Sequence, residues 1–380
     1  MKIGIDARTL YLPELRGIGK MLLDLLEALG SQANGHEFVL YYQQRPDLVD
    51  RAPRHPSMRT HAVQSSHQTV LEQWVLPRAV ASDRCDLFHS PANTTCWRQP
   101  CPVVLTLHDL MGYDRARHAG PLGRRLDWRV IQPRAYRRVR RIITASTYSK
   151  EQAMQKLGIP AEKIRVVPHG IHPRYRPAEA ATVEQVLRQH GVTQPYVLVT
   201  GGETPRKNLP RILEAMHALW SQRLLGHQLV VTGVNPMIRE RLLAQFPWVA
   251  HEQRLRLLGY VDEEELVPFY SGADVFVYAS LDEGFGLPPL EAMACGTPAI
   301  ASNATSIPET VGNAALLINP MNIEEIAEAI RRLARDEALR HELVERGFAH
   351  VRGFTWDRAA RETLAVYEEA VNASASGVAR

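Results

Sequence analysis

No run of about 18 apolar residues occurs in the chain, so no segment is long and apolar enough for a membrane-spanning helix. Cysteine is scarce: Cys85, Cys96, Cys101 and Cys295 are the only four in 380 residues. They show no C-x-x-C spacing and no histidine pair at zinc-ligand distance. Neither a disulfide framework nor a structural zinc site is expected, and the thiols are read as reduced and buried. Asp-x-Asp is absent, and no His, Asp or Glu group stands at metal-ligand spacing. No short-period repeat is found. Neither charge sign dominates: 45 basic and 41 acidic residues leave a formal charge of +4. The first residues, Met1-Lys2-Ile3-Gly4-Ile5-Asp6, enter a strand-like run without the apolar core and cleavage site of a signal peptide, and a cytoplasmic protein is expected.

What is present is an alternation of short β-rich runs and amphipathic helical stretches, the pattern of a parallel sheet covered on both faces. The length suits two such α/β domains. Strands are expected at Lys2–Ala7, Phe38–Tyr42, Asp86–His89, Val103–His108, Ile142–Ser146 and Arg165–Pro168, with helices such as Lys20–Leu29 and Lys150–Leu157. The stretch His172–Pro195 is proline-rich at its start, ends at Pro195, and reads as a domain boundary. A second series follows: strands Tyr196–Thr200, Leu229–Thr232, Arg256–Gly259, Val275–Tyr278, Ala299–Ala301 and Leu316–Ile318, with helices Asn208–Trp220, Glu263–Ser271 and Ile323–Arg335. The expected domains are 1–172 and 173–355, with a last helix and tail over 356–380. Ligands of doubly wound sheets bind beyond the carboxyl ends of the strands, so functional residues are sought there.

The most informative segment runs from Ser280 to Met293 and reads S-L-D-E-G-F-G-L-P-P-L-E-A-M. A buried strand ends near Tyr278, a loop with two glycines follows, and a proline pair suits the first turn of a helix. Such a loop presents backbone N–H groups where the helix dipole favours anions. Glu283 stands in the loop and Glu291 eight positions on, in the expected first helical turn. On spacing alone the pair can be a solvated carboxylate and a helix-dipole complement. Gly-Phe-Gly and Pro-Pro between them favour ligand contact, one glutamate with a sugar hydroxyl and the other with a diol such as ribose.

This segment resembles the Glu-x7-Glu signature of retaining glycosyltransferases with the two-Rossmann GT-B fold, specifically glycosyltransferase family four. The resemblance extends along nearly the whole chain and is strongest from Tyr196 to Pro320. It implies two Rossmann-like doubly wound domains facing across a cleft, an acceptor domain first and a donor domain second, with the C-terminal helix packing back toward the N-domain. It also implies that Glu283 contacts the transferred sugar, that Glu291 contacts the ribose, and that the amides of Phe285, Gly286 and Leu287 contact the donor.

Gly201-Gly202-Glu203-Thr204-Pro205-Arg206-Lys207-Asn208 follows the strand Tyr196–Thr200. Two cations at a strand end suit a diphosphate, lysine as a point charge and arginine as a fork. The family resemblance assigns Lys207, and beside it Arg206, to the departing diphosphate; Gly202 stands where the family commonly has arginine. In Arg16-Gly17-Ile18-Gly19-Lys20 the two glycines lack the third glycine and downstream acid of a dinucleotide fingerprint. The resemblance implies that Gly17 and Gly19 approach the donor or acceptor through their backbone, and that His108, at the end of its strand, meets the donor sugar. His169 and the Pro308-Glu309 element are read as structural.

Arginines crowd the stretch Arg115–Arg141, where Asp127 is the only acid, and Arg134, Arg137, Arg138 and Arg141 have the spacing of one helical face. The stretch is either a solvated face or attracts an anionic membrane surface or polyanionic acceptor. No zinc-finger or RNP-like motif points to nucleic acid.

The expected activity is retaining transfer of a hexose, with a lean to GDP-mannose, from a nucleoside diphosphate sugar to a glycan or lipid-linked glycan in polysaccharide or lipopolysaccharide assembly. Neither a cofactor nor a metal is expected, and the location is cytoplasmic, peripheral at the inner face of the membrane. A sugar-nucleotide epimerase of the same architecture and a non-catalytic glycan- or polyanion-binding protein remain the alternatives.

Overall fold

In a computed structural model the described residues are 1–12, 15, 17–44, 48–65, 67–110, 127–202 and 204–375. The chain divides into two compact units. One comprises residues Met1–Gly170 and Thr355–Arg380, the other Ile171–Phe354.

The first unit holds a seven-stranded sheet of β1 (Lys2–Asp6), β2 (Glu37–Gln43), β3 (Met58–Val63), β4 (Leu87–Ser90), β5 (Val103–Leu107), β6 (Arg141–Thr144) and β7 (Ile164–Val166). Its order is β3-β2-β1-β4-β5-β6-β7, and every neighbouring pair is parallel. The central strands are apolar almost throughout because both faces are covered: all five residues of β5, Val-Val-Leu-Thr-Leu, are buried. Strand β3 has no counterpart among the strands expected above. It lies at the sheet edge, and of its Met-Arg-Thr-His-Ala-Val only Val63 is buried, with Arg59, Thr60 and Ala62 exposed.

Helix Trp356–Ala375 belongs to this first unit. It lies against helix Gly17–Ser31 and against β4, β5 and β6. Ala359, Ala360, Leu364, Tyr367 and Ala370 enter the apolar cluster of Ile3, Ile5, Leu22, Leu26 and Val104. Five such positions recur at helical spacing, so one stripe is buried. Polar ties add register: Glu369 meets Arg141 at 3.0 Å and Arg165 at 2.9 Å, and the Tyr367 hydroxyl lies 2.7 Å from Nδ1 of buried His89. Gly170 lets the chain pass close to this helix start, since a Cβ there would sit 2.2 Å from the Trp356 nitrogen.

The second unit holds β8 (Tyr196–Val199), β9 (Gln228–Val231), β10 (Leu255–Leu257), β11 (Val275–Tyr278), β12 (Ala299–Ser302) and β13 (Ala315–Ile318). The order β10-β9-β8-β11-β12-β13 is again wholly parallel and is the Rossmann order. Helix Ile323–Arg335 shows why such elements form. Asn322 caps it by accepting from the Glu325 amide at 3.1 Å, and Ile326, Ile330 and Leu333 fall on one buried stripe. Each buried side chain of this size contributes about 1.5–3 kcal/mol relative to exposure.

The expected boundary stretch His172–Pro195 is less of a linker than its prolines suggest. Helix Ala180–Gln189 occupies much of it and buries Val183, Val186 and Leu187 within the second unit. Among the described residues no helix is long and apolar enough to cross a membrane. All four cysteines are free, three of them buried.

Candidate active site

Strand order in the second unit reverses between β8 and β11, and the carboxyl ends of these two strands open the crevice where such sheets bind ligands. Each end delivers one half of a charged cluster. After β8 a single 3-10 turn, Pro205–Lys207, is stopped by Asn208, which takes a left-handed conformation and donates through its side chain to the Pro320 carbonyl at 2.6 Å. After β11 comes the loop bearing Glu283. The Leu281 amide donates to the Arg206 carbonyl at 2.8 Å, and the Arg206 guanidinium donates to the Asp282 carbonyl at 3.2 Å.

Four groups meet at one carboxylate oxygen. Oε1 of Glu283 accepts from Lys207 Nζ at 2.8 Å and from the hydroxyls of Tyr278 and Ser280 at 2.7 Å each, and Arg206 pairs with it as well. Lys207 also donates to the Tyr278 hydroxyl at 2.5 Å and lies 4.2 Å from the centre of that ring. Glu283 is 6% exposed. Burial by itself would raise its pKa. Lys207 and Arg206, with the hydrogen bonds, outweigh that and hold the carboxylate below its ordinary value. For Lys207 burial is the largest influence, opposed by Glu283 and reinforced by Arg206, and its pKa is pushed down to about 8.

Glycine is required at Gly286 on two counts. Its φ is +102°, and a Cβ would stand 2.5 Å from Ile307 Cδ1. It precedes helix Leu287–Ala294, whose second and third residues are prolines without N–H groups. Of the four donors normally left over at a helix start, only the Gly286 and Leu287 amides therefore exist. The loop is pinned from beneath. Ser306 donates to the Glu283 and Phe285 carbonyls at 2.9 and 3.0 Å, and Thr310 donates to the Phe285 carbonyl at 2.7 Å. Glu291 falls in the second turn of this helix rather than the expected first, half-buried, and its Oε2 accepts from the Tyr270 hydroxyl at 3.0 Å.

The structure thus brings together Arg206, Lys207 and Glu283 and places the Gly286–Leu287 helix start and Glu291 on the same loop and helix. Gly202 is closely packed. The Gly202 amide is already donated to the Thr232 carbonyl at 2.9 Å, and a Cβ would lie 2.8 Å from both Val231 and Val234. Glycine is needed there for close packing. Tyr278, Ser280, Ser306 and Thr310 were not singled out by sequence; their position just after a strand or in the next turn was the available signal.

In the first unit, Gly17 and Gly19 lie inside the first turn of helix Gly17–Ser31 rather than in a loop before it. Gly17 is exposed with open space around it, whereas a Cβ on Gly19 would meet Leu15 at 2.7 Å. Arg16 and Glu203 lie outside the described residues. His108 donates from Nε2 to the Pro91 carbonyl at 2.7 Å, which leaves Nδ1 as the acceptor of a neutral ring. Burial lowers its pKa, against the pull of that carbonyl and of Asp109. Nδ1 is buried with no partner among the described residues, and His108 lines a small cavity of about 30 Å³ together with His169, Trp356, Thr106, Thr363 and apolar side chains.

The basic stretch is only partly described, since Arg115, Arg117, Arg124 and Arg125 lie outside the described residues. The four-arginine helical face is not formed: helix Gln132–Arg138 ends before Arg141, which opens β6 and pairs with Glu369.

Residues 15–175 match the model of Glycosyltransferase Family 4, and residues 184–350 match that of Glycosyl transferases group 1. O-antigen chain mannosyltransferase B of Escherichia coli is 33% identical over 228 residues, 60% of each chain. The MMP alpha-(1->4)-mannosyltransferase of Mycolicibacterium hassiacum is 28% identical over 283 residues, which cover 71% of this chain and 66% of that one. The chain therefore spans about three fifths to two thirds of the length of these relatives. Sucrose-phosphate synthase from Thermosynechococcus elongatus superposes with a TM-score of 0.77 at 21% identity, covering 98% and 99% of the two chains, a likeness of fold. With the two models together matching residues 15–175 and 184–350, the chain belongs to the group 1, family 4 glycosyltransferases of GT-B fold.

Proposed function

We propose that the protein transfers a mannose-type hexose from a nucleoside diphosphate sugar to a hydroxyl of a glycan or lipid-linked glycan, with retention of anomeric configuration and without a divalent metal. The observation that carries this reading is the convergence of Lys207, Arg206 and Glu283 at the β8/β11 switch point, beside the helix start at Gly286. The mannosyltransferase names of the two relatives support the sugar, and GDP is the favoured nucleotide.

Departure of a diphosphate places negative charge where Lys207, Arg206 and the Gly286 and Leu287 amides stand ready. Charges already fixed in position stabilise that change without reorganisation. Glu283 then orients hydroxyls of the sugar, and Glu291, steadied by Tyr270, anchors the ribose. The leaving phosphate assists deprotonation of an acceptor attacking from the same face, and no protein nucleophile is needed. An epimerase would turn over without any acceptor, which separates that reading. The basic stretch ending at Arg141 adds peripheral attraction to an anionic membrane face.

The test is an assay in excess EDTA with the anomeric proton of the product followed by NMR. Activity should persist and the anomer should be retained. Loss of activity restored by magnesium or manganese would overturn metal independence, and an inverted anomer would overturn the reaction course.

A further inference from the structure

In the first unit two tryptophans each carry two arginines. The guanidinium carbons of Arg98 and Arg78 lie 4.7 and 5.6 Å from the ring centre of Trp74, which is 44% exposed. Those of Arg138 and Arg134 lie 5.6 and 5.9 Å from the ring centre of Trp97. The four arginines are exposed, and none pairs with a carboxylate among the described residues. Trp97 and Arg98 are adjacent, so the two stacks form one ladder.

Three segments build this ladder, and specific bonds keep them together. Gln73 accepts from the Trp97 amide at 2.8 Å and donates to the Thr95 carbonyl at 3.2 Å, which fixes the connection beside Trp74. Gln99 donates to the Ala135 carbonyl at 3.3 Å, which fixes it to helix Gln132–Arg138. Val70, also 44% exposed, stands four positions before Trp74, and Arg78 four positions after it. The result is a built surface with apolar, aromatic and cationic groups side by side.

We propose that this ladder seats the enzyme in the headgroup layer of an anionic phospholipid bilayer. Tryptophan is favoured where an apolar body meets a wet, polar layer, and Val70 adds apolar area beside it. A guanidinium stacked on a ring keeps its N–H edge for phosphate oxygens, and stacking pre-orders the side chain. Arg134 donates one N–H to the Val130 carbonyl at 3.1 Å, which further orders its side chain beside Trp97. A nucleobase would have to displace the guanidinium groups already over the rings. The inference rests on the anionic-surface reading of the basic stretch. It goes beyond that reading because Trp74, Arg78, Trp97 and Arg98 lie outside the stretch.

The experiment is co-sedimentation of the full chain with phosphatidylglycerol–phosphatidylcholine vesicles at low salt, against phosphatidylcholine alone. Binding should require the anionic lipid and fall with salt. Each arginine near such a surface is worth about a fivefold factor, so Arg98→Gln with Arg138→Gln should lower partitioning about 25-fold. Trp74→Ser should abolish most of the blue shift in tryptophan emission on binding. Unchanged melting and unchanged transfer to a soluble acceptor would show that these variants are folded and that the chemistry is separate. If Arg137→Gln with Arg140→Gln releases the protein while the ladder variants stay bound, the ladder is refuted and the basic stretch survives. Binding indifferent to salt and lipid charge, or preference for a single-stranded oligonucleotide over vesicles, refutes both.

Discussion

Lys207 and Glu283 are joined through a single oxygen: Nζ lies 2.8 Å from Oε1, which the Tyr278 and Ser280 hydroxyls also reach. The cation proposed for the diphosphate is thus held by the carboxylate proposed for the sugar. A donor that engages both must exchange this internal bond for its own.

That pairing shapes what mutation should do. Lys207→Ala leaves a buried carboxylate with Arg206 as its remaining cation, so stability should fall, by up to about 3–5 kcal/mol. Adding Glu283→Gln should recover most of that loss while turnover stays depressed on the order of a hundred- to a thousandfold. Thermal melts and single-turnover rates on the two single variants and the double variant check this. Turnover returning together with stability would refute the leaving-group role.

The lowered pKa of Lys207 gives a pH signature. The ammonium is complete below about 8 and lost above it, and a bound diphosphate favours the charged form. Affinity for nucleoside diphosphate should therefore be flat below about pH 8 and then fall by up to tenfold per pH unit. Lys207→Arg should remove this fall because guanidinium stays charged. Calorimetric titration across pH measures it, and a profile identical in the variant would assign the titration to another group.

Glu291 and Glu283 should fail differently. Glu291→Gln should weaken the bare nucleoside diphosphate, since its proposed partner is ribose. Tyr270→Phe should do the same more mildly, by removing the hydroxyl that steadies Oε2. Glu283→Gln should weaken the intact donor and spare the nucleotide. Equal affinities for both ligands in both glutamate variants would overturn the assignment.

Acid should destabilise the first unit. Burial pushes His89 and His169 down to about 3, so both stay neutral when folded and charge when unfolded. The unfolded chain binds more protons between about pH 6.5 and about pH 3. Their contribution is fully present above that window and lost as pH falls through it. At about pH 5 each should cost about 2 kcal/mol relative to about pH 8. Chemical denaturation at the two pH values reads this out, and His89→Gln, which can keep contact with Tyr367 and Thr106, should flatten the dependence.

Much of this protein was determined locally. Apolar runs such as Val103–Leu107 and Val275–Tyr278 are strands because both faces are covered, and periodicity reports that. The loop from Ser280 to Met293 carries its own chemistry in Glu-Gly-Phe-Gly and Pro-Pro, so Glu283 and Glu291 were legible without coordinates. Met58–Val63 was not, because an edge strand of mixed side chains, mostly exposed or half-buried, has almost no apolar signal. Nor was the limit of helix Gln132–Arg138, because a run of arginines looks alike whether it continues a helix or opens a strand, as Arg141 does.

What tertiary structure decided is which residues share an atom. Lys207 and Glu283 are 76 positions apart, and nothing in either neighbourhood encodes that β8 and β11 lie side by side. Parallel pairing is a long-range choice, made when whole helices find cover on the two faces of a sheet. Once β8 and β11 are neighbours, Lys207 comes within reach of Glu283, which Tyr278 and Ser280 hold from beneath, and the ion pair can form. The same order leaves Gly202 against Val231 and Val234, where packing requires a glycine. Sequence supplied the chemical groups and their local frames, whereas adjacency arose from the packing of the whole unit.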